Sequence, residues 1–142
     1  DTFVQEKTFN YFADIEGWGL THNDKHLIMS DGTNKIYFLD PETQKMVRSI
    51  NVYSDTNAIS ELNELEWIDG KIWANIYQKN AVVIINPENG AVEAVINFSD
   101  LDAKIENKGK DVLNGIAYNP ATKTVFITGK DWDKMFEIKL KN

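Results

Sequence analysis

The sequence reads as all-β, a stack of β-propeller blades, because one strand unit is written along it three times. The unit opens at Gly17-Trp18-Gly19-Leu20-Thr21-His22, again at Asn63-Glu64-Leu65-Glu66-Trp67-Ile68, and again at Asn114-Gly115-Ile116-Ala117-Tyr118-Asn119. Leu20 and Leu65 stand 45 residues apart and Leu65 and Ile116 stand 51 apart. A period of roughly 40–50 residues made of short strands is that of a propeller blade. Blades surround a central channel, so function is expected where their inner strands begin.

The elements follow in order. Phe3-Val4-Gln5 and Thr8-Phe9-Asn10-Tyr11-Phe12 read as strands, and residues 1–12 as the end of a preceding blade. The first blade, 17–52, carries strands near 18–22, 25–30, 35–39 and 46–52, broken at Asn23-Asp24, Asp31-Gly32 and Asp40-Pro41-Glu42-Thr43. In Lys35-Ile36-Tyr37-Phe38-Leu39 both faces are apolar, as in a strand packed inside a stack. The second blade, 63–98, carries strands near 64–68, 71–77, 81–85 and 91–98. Its breaks are Asp69-Gly70, Lys79-Asn80 and Asn86-Pro87-Glu88-Asn89-Gly90. Residues 99–111 are polar and read as a loop with one helical turn. The third blade, 112–140, shows three strands, near 112–118, 124–128 and 134–140. A propeller typically needs about four to eight blades to close. About three make an incomplete ring, which missing blades or another copy of the chain would have to complete. The sequence opens at Asp1-Thr2-Phe3, with neither Met nor a leader pattern, as expected of a processed chain or a piece of a longer one.

Composition narrows the function classes. Hydrophobic residues make up 42% of the 142, enough for a real core. The net charge of −7 argues against nonspecific nucleic-acid binding, which needs a Lys/Arg surplus, and equally against an anionic membrane surface. With no cysteine there is neither a disulfide nor a thiolate zinc site. His22 and His26 are four apart but span a turn, so that spacing does not put both imidazoles on one metal ion. Glu64 and Glu66, two apart on a strand, share a face; with Glu61 they form an acidic cluster that reads first as a solvated strand edge and second as a site for an amine or a cation.

Longer stretches narrow the choice further. Glu16-Gly17-Trp18-Gly19-Leu20-Thr21, Ser30-Asp31-Gly32-Thr33-Asn34, Tyr37-Phe38-Leu39-Asp40-Pro41-Glu42-Thr43, Leu62-Asn63-Glu64-Leu65-Glu66-Trp67-Ile68-Asp69-Gly70, Trp73-Ala74-Asn75-Ile76-Tyr77-Gln78, Asp111-Val112-Leu113-Asn114-Gly115-Ile116-Ala117-Tyr118 and Thr128-Gly129-Lys130-Asp131-Trp132 resemble, in this order, the glutamine cyclotransferases of plants and bacteria. The resemblance runs from about Glu16 to Leu140 and implies a five-bladed propeller, of which this chain is similar to the last three blades and the end of the second. It implies a glutaminyl-peptide cyclotransferase, an acyltransferase that turns the N-terminal Gln of peptides or proteins into pyroglutamate and releases ammonia, without a cofactor. Bacterial members are commonly exported, so a periplasmic or secreted location is expected.

Carried over residue by residue, the resemblance implies catalytic roles for Lys130, as oxyanion partner or proton donor, and for Asn63, as an amide that orients substrate or donates to the oxyanion. It implies substrate-binding walls at Trp18, Tyr77 and Trp132, with Tyr77 standing where the plant enzyme has a tryptophan. Asn114 joins them because it repeats the position of Asn63 one blade later. Each has a plain structural reading beside this one: blade-core aromatics for the tryptophans, turn caps for the asparagines and a solvated loop lysine for Lys130. The family's acid/base glutamate sits in a Tyr-Glu-Ser-like motif that these 142 residues lack, and Glu16, Glu64 and Glu66 do not match it. A chain without that group is expected to be nearly inactive alone. Two other classes stay open: a noncatalytic propeller that binds peptides or proteins, and a hydrolase working with paired carboxylates across a cleft.

Overall fold

A computed structural model describes residues 2–107 and 109–139 of the chain. Three antiparallel sheets follow one another along the sequence. The first runs β1 (Gly19–His22), β2 (Leu27–Ser30), β3 (Lys35–Leu39), β4 (Met46–Asn51), hydrogen-bonded in that order. A two-stranded hairpin, β5 (Tyr53–Ser54) with β6 (Asn57–Ala58), leads to the second sheet of β7 (Leu62–Ile68), β8 (Lys71–Ile76), β9 (Ala81–Ile85) and β10 (Val92–Asn97). One helical turn, α1 (Ser99–Asp102), precedes the three-stranded third sheet of β11 (Leu113–Asn119), β12 (Thr124–Gly129) and β13 (Phe136–Ile138). The fold is all-β, an incomplete propeller. Leu140, the last residue of the strand expected at 134–140, lies outside the described residues.

Turn chemistry sets the strand ends. The Asn23 carboxamide oxygen accepts from the amides of Lys25 (2.9 Å) and His26 (2.7 Å), and the Asp40 carboxylate accepts from those of Glu42 (3.1 Å) and Thr43 (2.8 Å). Such local bonds satisfy backbone donors where the ladder stops. Asp69 and Gly70 both hold positive φ, 46° and 80°, the backbone of a two-residue hairpin whose twist matches its strands.

Side-chain alternation then builds two apolar layers. Ile36 and Phe38 of β3 face Leu65, Ile72, Ala74, Val83 and Ile85 of the second sheet. Trp73 and Val82, on the opposite face of that sheet, pack with Leu113, Ile116, Val125 and Ile127 of the third. The second sheet is therefore a wedge clamped by its neighbours, while β3 is apolar on both faces because Tyr37 and Leu39, on its far face, are covered by Phe12 and Ile15. The first strands of the sheets lie side by side, β7 between β1 and β11. They are the inner edge of the stack.

The strands expected at 3–5 and 8–12 are not formed: residues 2–18 carry no ladder. A strand needs a paired neighbour, and among the described residues none lies beside this segment; Phe3 is 96% exposed and Val4 72%. The segment instead crosses the outer face of the first sheet, where Phe12 and Ile15 pack on Met29, Tyr37 and Leu39. The hairpin β5–β6 leaves no mark in the sequence, since two-residue strands fall below any periodicity.

Candidate active site

Both inner strands that carry an early asparagine are bulged at it. In β7 the register slips between Leu62, paired with Ile76, and Leu65, paired with Ala74, so that Asn63 and Glu64 oppose the single residue Asn75. In β11 it slips between Leu113, paired with Gly129, and Ile116, paired with Ile127, so that Asn114 and Gly115 oppose Thr128. A bulge redirects side chains at a strand end. Here the two bulges bring Asn63 and Asn114 to one cleft of about 440 Å³, lined also by Glu16, Gly17, Trp18, Tyr77 and Lys130.

The remaining walls come from the segments just outside the strands. Trp18 precedes β1 and is tied by its amide to the Ser30 carbonyl (3.0 Å). Tyr77 follows β8, its amide bonded to Glu61 O (2.8 Å), and Lys130 follows β12, its amide bonded to Val112 O (2.9 Å). The ring centroids of Trp18 and Tyr77 are 5.5 Å apart and nearly perpendicular, and the Lys130 ammonium lies 5.5 Å from the centre of the Tyr77 ring. An indole, a phenol and an ammonium, one from beside each sheet, thus adjoin in a cleft that two carboxamides also line. The cleft can hold a polar group by hydrogen bonds, pack apolar stems on its aromatics and set a positive charge beside a developing oxyanion.

Five of the six residues expected at the site converge there; Trp132 does not. Its indole lies over Gly129, its Nε1 donates to the Asp111 carbonyl (2.9 Å), and its ring meets Phe136 edge-on at 6.1 Å. Glu16 lines the cleft as its one carboxylate among the described residues, although nothing in its local sequence marked it out.

The acidic pair of β7 is not the solvated edge expected. Glu64 and Glu66 reach across to the neighbouring inner strand: Glu64 Oε2 accepts from the Ile116 amide (3.0 Å) and Glu66 Oε1 from that of Tyr118 (2.9 Å). Partial burial first, and the repulsion of Glu66 second, push the Glu64 carboxyl up to about 8 against the pull of the Ile116 amide. Thr21 does the same work one sheet earlier, accepting from the Trp67 amide (3.1 Å). These side chains stitch wedge to wedge along the axis. Neither glutamate lines the Asn63–Lys130 cleft.

The family model described as Glutamine cyclotransferase matches residues 1–140. The glutaminyl-peptide cyclotransferase of Arabidopsis thaliana is 40% identical over 129 residues, which cover 89% of this chain and 40% of that protein. The crystal structure of Myxococcus xanthus glutaminyl cyclase superimposes with a TM-score of 0.88 at 35% identity, over 94% of this chain and 58% of that one. The chain therefore spans about half the length of the relatives it matches.

Proposed function

The chain belongs to the glutamine cyclotransferase family, and we propose that its cleft serves the cyclisation of N-terminal glutamine in peptides. In that reaction the α-amine attacks the side-chain carboxamide carbon of the same residue. A C–N bond forms, the bond to the amide nitrogen breaks, and the proton lost by the amine leaves with ammonia. The five-membered ring brings its own nucleophile, so the protein has only to fix the rotamer, hold the amine neutral and stabilise the oxyanion. The convergence of Trp18, Asn63, Tyr77, Asn114 and Lys130 on one cleft carries this reading. The aromatics would pack the glutamine stem, the two carboxamides would orient the substrate amide, and the Lys130 ammonium would face the oxyanion.

The acid/base carboxylate is the part these five residues do not supply, and Glu16, which lines the cleft, does not match the family's motif for it. The group that the family resemblance implies is absent from these 142 residues, and a general acid/base is typically worth 10²–10⁴-fold. The activity is therefore proposed for the chain joined to further blades that bring this group, with export of the protein proposed on the resemblance to bacterial members. The test is release of ammonia from a Gln-initiated peptide by the full-length protein. Turnover is expected, falling by about 10²-fold or more in Lys130→Ala if that ammonium serves as an oxyanion donor. Peptide binding without turnover would instead favour a noncatalytic propeller.

A further inference from the structure

Asn75, on the second strand of the middle sheet, is a polar residue in an apolar run and is fully buried. Its position is singular: it is the residue opposite the β7 bulge that carries Asn63, and its Oδ1 accepts from the amide of Gly115 (3.1 Å) in the β11 bulge that carries Asn114. Ser30, at the same place in the first sheet and equally buried, donates to the Asn63 carbonyl (2.6 Å). The second strand of each wedge thus holds the bulge of the next.

One polar atom of Asn75 is left over. Its Nδ2 is buried without a partner among the described residues, and so is Oδ1 of Asn114. The orientation of Asn75 is not free to change, because turning the amide over would set Nδ2 against the Gly115 N–H, donor against donor. An unpaired donor and an unpaired acceptor therefore sit in the same junction, one on the residue that holds the β11 bulge and one on the bulge itself, and they do not bond each other. Buried polar groups that no protein atom satisfies are ordinarily satisfied by an ordered water.

We propose that Asn75 is a positioning residue of the cleft, and that its Nδ2 and the Asn114 Oδ1 together bind one neutral, water-sized molecule that accepts one hydrogen bond and donates another. Held at one end by this molecule, the Asn114 carboxamide is fixed in direction where it lines the cleft. The kinetic part rests on the cyclotransferase reading of the cleft; the binding part does not.

A crystal structure of the full-length protein at atomic resolution tests the binding. One solvent peak within hydrogen-bond reach of both atoms is expected, and it should vanish in Asn114→Ala. The two amides bonded directly to each other, or satisfied by other protein groups, would overturn the proposal. The kinetic arm is a cycle of Asn75→Leu, Asn114→Ala and the double variant on a Gln-initiated peptide. Each single change should lower kcat/KM about tenfold, mainly through kcat, and the double change also about tenfold because both remove one linked unit. A hundredfold loss in the double variant, or a drop in melting temperature with kcat/KM intact, would reduce Asn75 to a structural residue. Should Asn75→Leu not fold, the density and the Asn114→Ala variant decide. A wild-type protein that does not cyclise glutamine would sink the activity and leave the density to judge this site.

Discussion

Replacing Glu64 by glutamine should change how stability depends on pH. The carboxyl sits on β7 where the second and third wedges meet, bonded to the Ile116 amide, with Glu66 on the same face. Folding holds a proton on it up to about pH 8, whereas its ordinary value is 4.5. Between those values the native chain binds more protons than the unfolded one. The stabilisation is therefore complete below about pH 4.5 and drains away as pH climbs to about 8, at about 1.4 kcal/mol per pH step and on the order of 5 kcal/mol over the whole interval. A glutamine side chain at this place keeps an acceptor for the Ile116 amide and cannot ionise. Urea or thermal unfolding of the wild type and Glu64→Gln from pH 5 to pH 9 should give curves that nearly meet at the acid end, separate up to about pH 8 and hold a constant gap above it, with the variant more stable. Parallel curves, or a Glu64 side-chain resonance that titrates near pH 4.5, would refute the reasoning.

Two further changes probe the seams that hold the cleft. Gly19→Ala puts a Cβ into the Asn63 carbonyl oxygen at the first seam, so we expect a loss of about 1–3 kcal/mol in urea unfolding. Thr21→Val removes the acceptor of the Trp67 amide at nearly constant shape; it should cost about 1–3 kcal/mol in the same assay, and an unchanged midpoint would show that solvent replaces the bond.

The strands were legible because turn residues punctuate them. Asp69-Gly70, Asn23-Asp24 and Asp40-Pro41 act within a few residues, and local chemistry is what a single sequence carries best. The segments at 3–5 and 8–12 have equally good strand composition and form no strand, since pairing depends on a neighbour that local chemistry does not supply. Most of the cleft was legible only through family resemblance: composition alone leaves Lys130 a surface lysine. Glu64 and Asn75 escape a reading of the sequence for a common reason. Their environment is made by the adjoining wedge, 40 to 52 residues further along. The one local signal was a polar residue inside the apolar run Ile72-Trp73-Ala74-Asn75-Ile76.

The repeat also explains why the cleft has the residues it has. Two places recur from wedge to wedge: the start of the inner strand, and a residue within two of the end of the second strand. In the second and third sheets these are Asn63 with Tyr77 and Asn114 with Lys130. In the first sheet the second place is Gly32, whose missing side chain is the space the Trp18 indole fills. Equivalent backbone geometry thus delivers a different group from each blade to one axis: an amide and a phenol, an amide and an ammonium, an indole over a glycine. No single wedge holds a site. The seams align three partial ones, so Ser30, Asn75, Glu64 and Thr21 bear on the cleft through alignment even though none of them lines it.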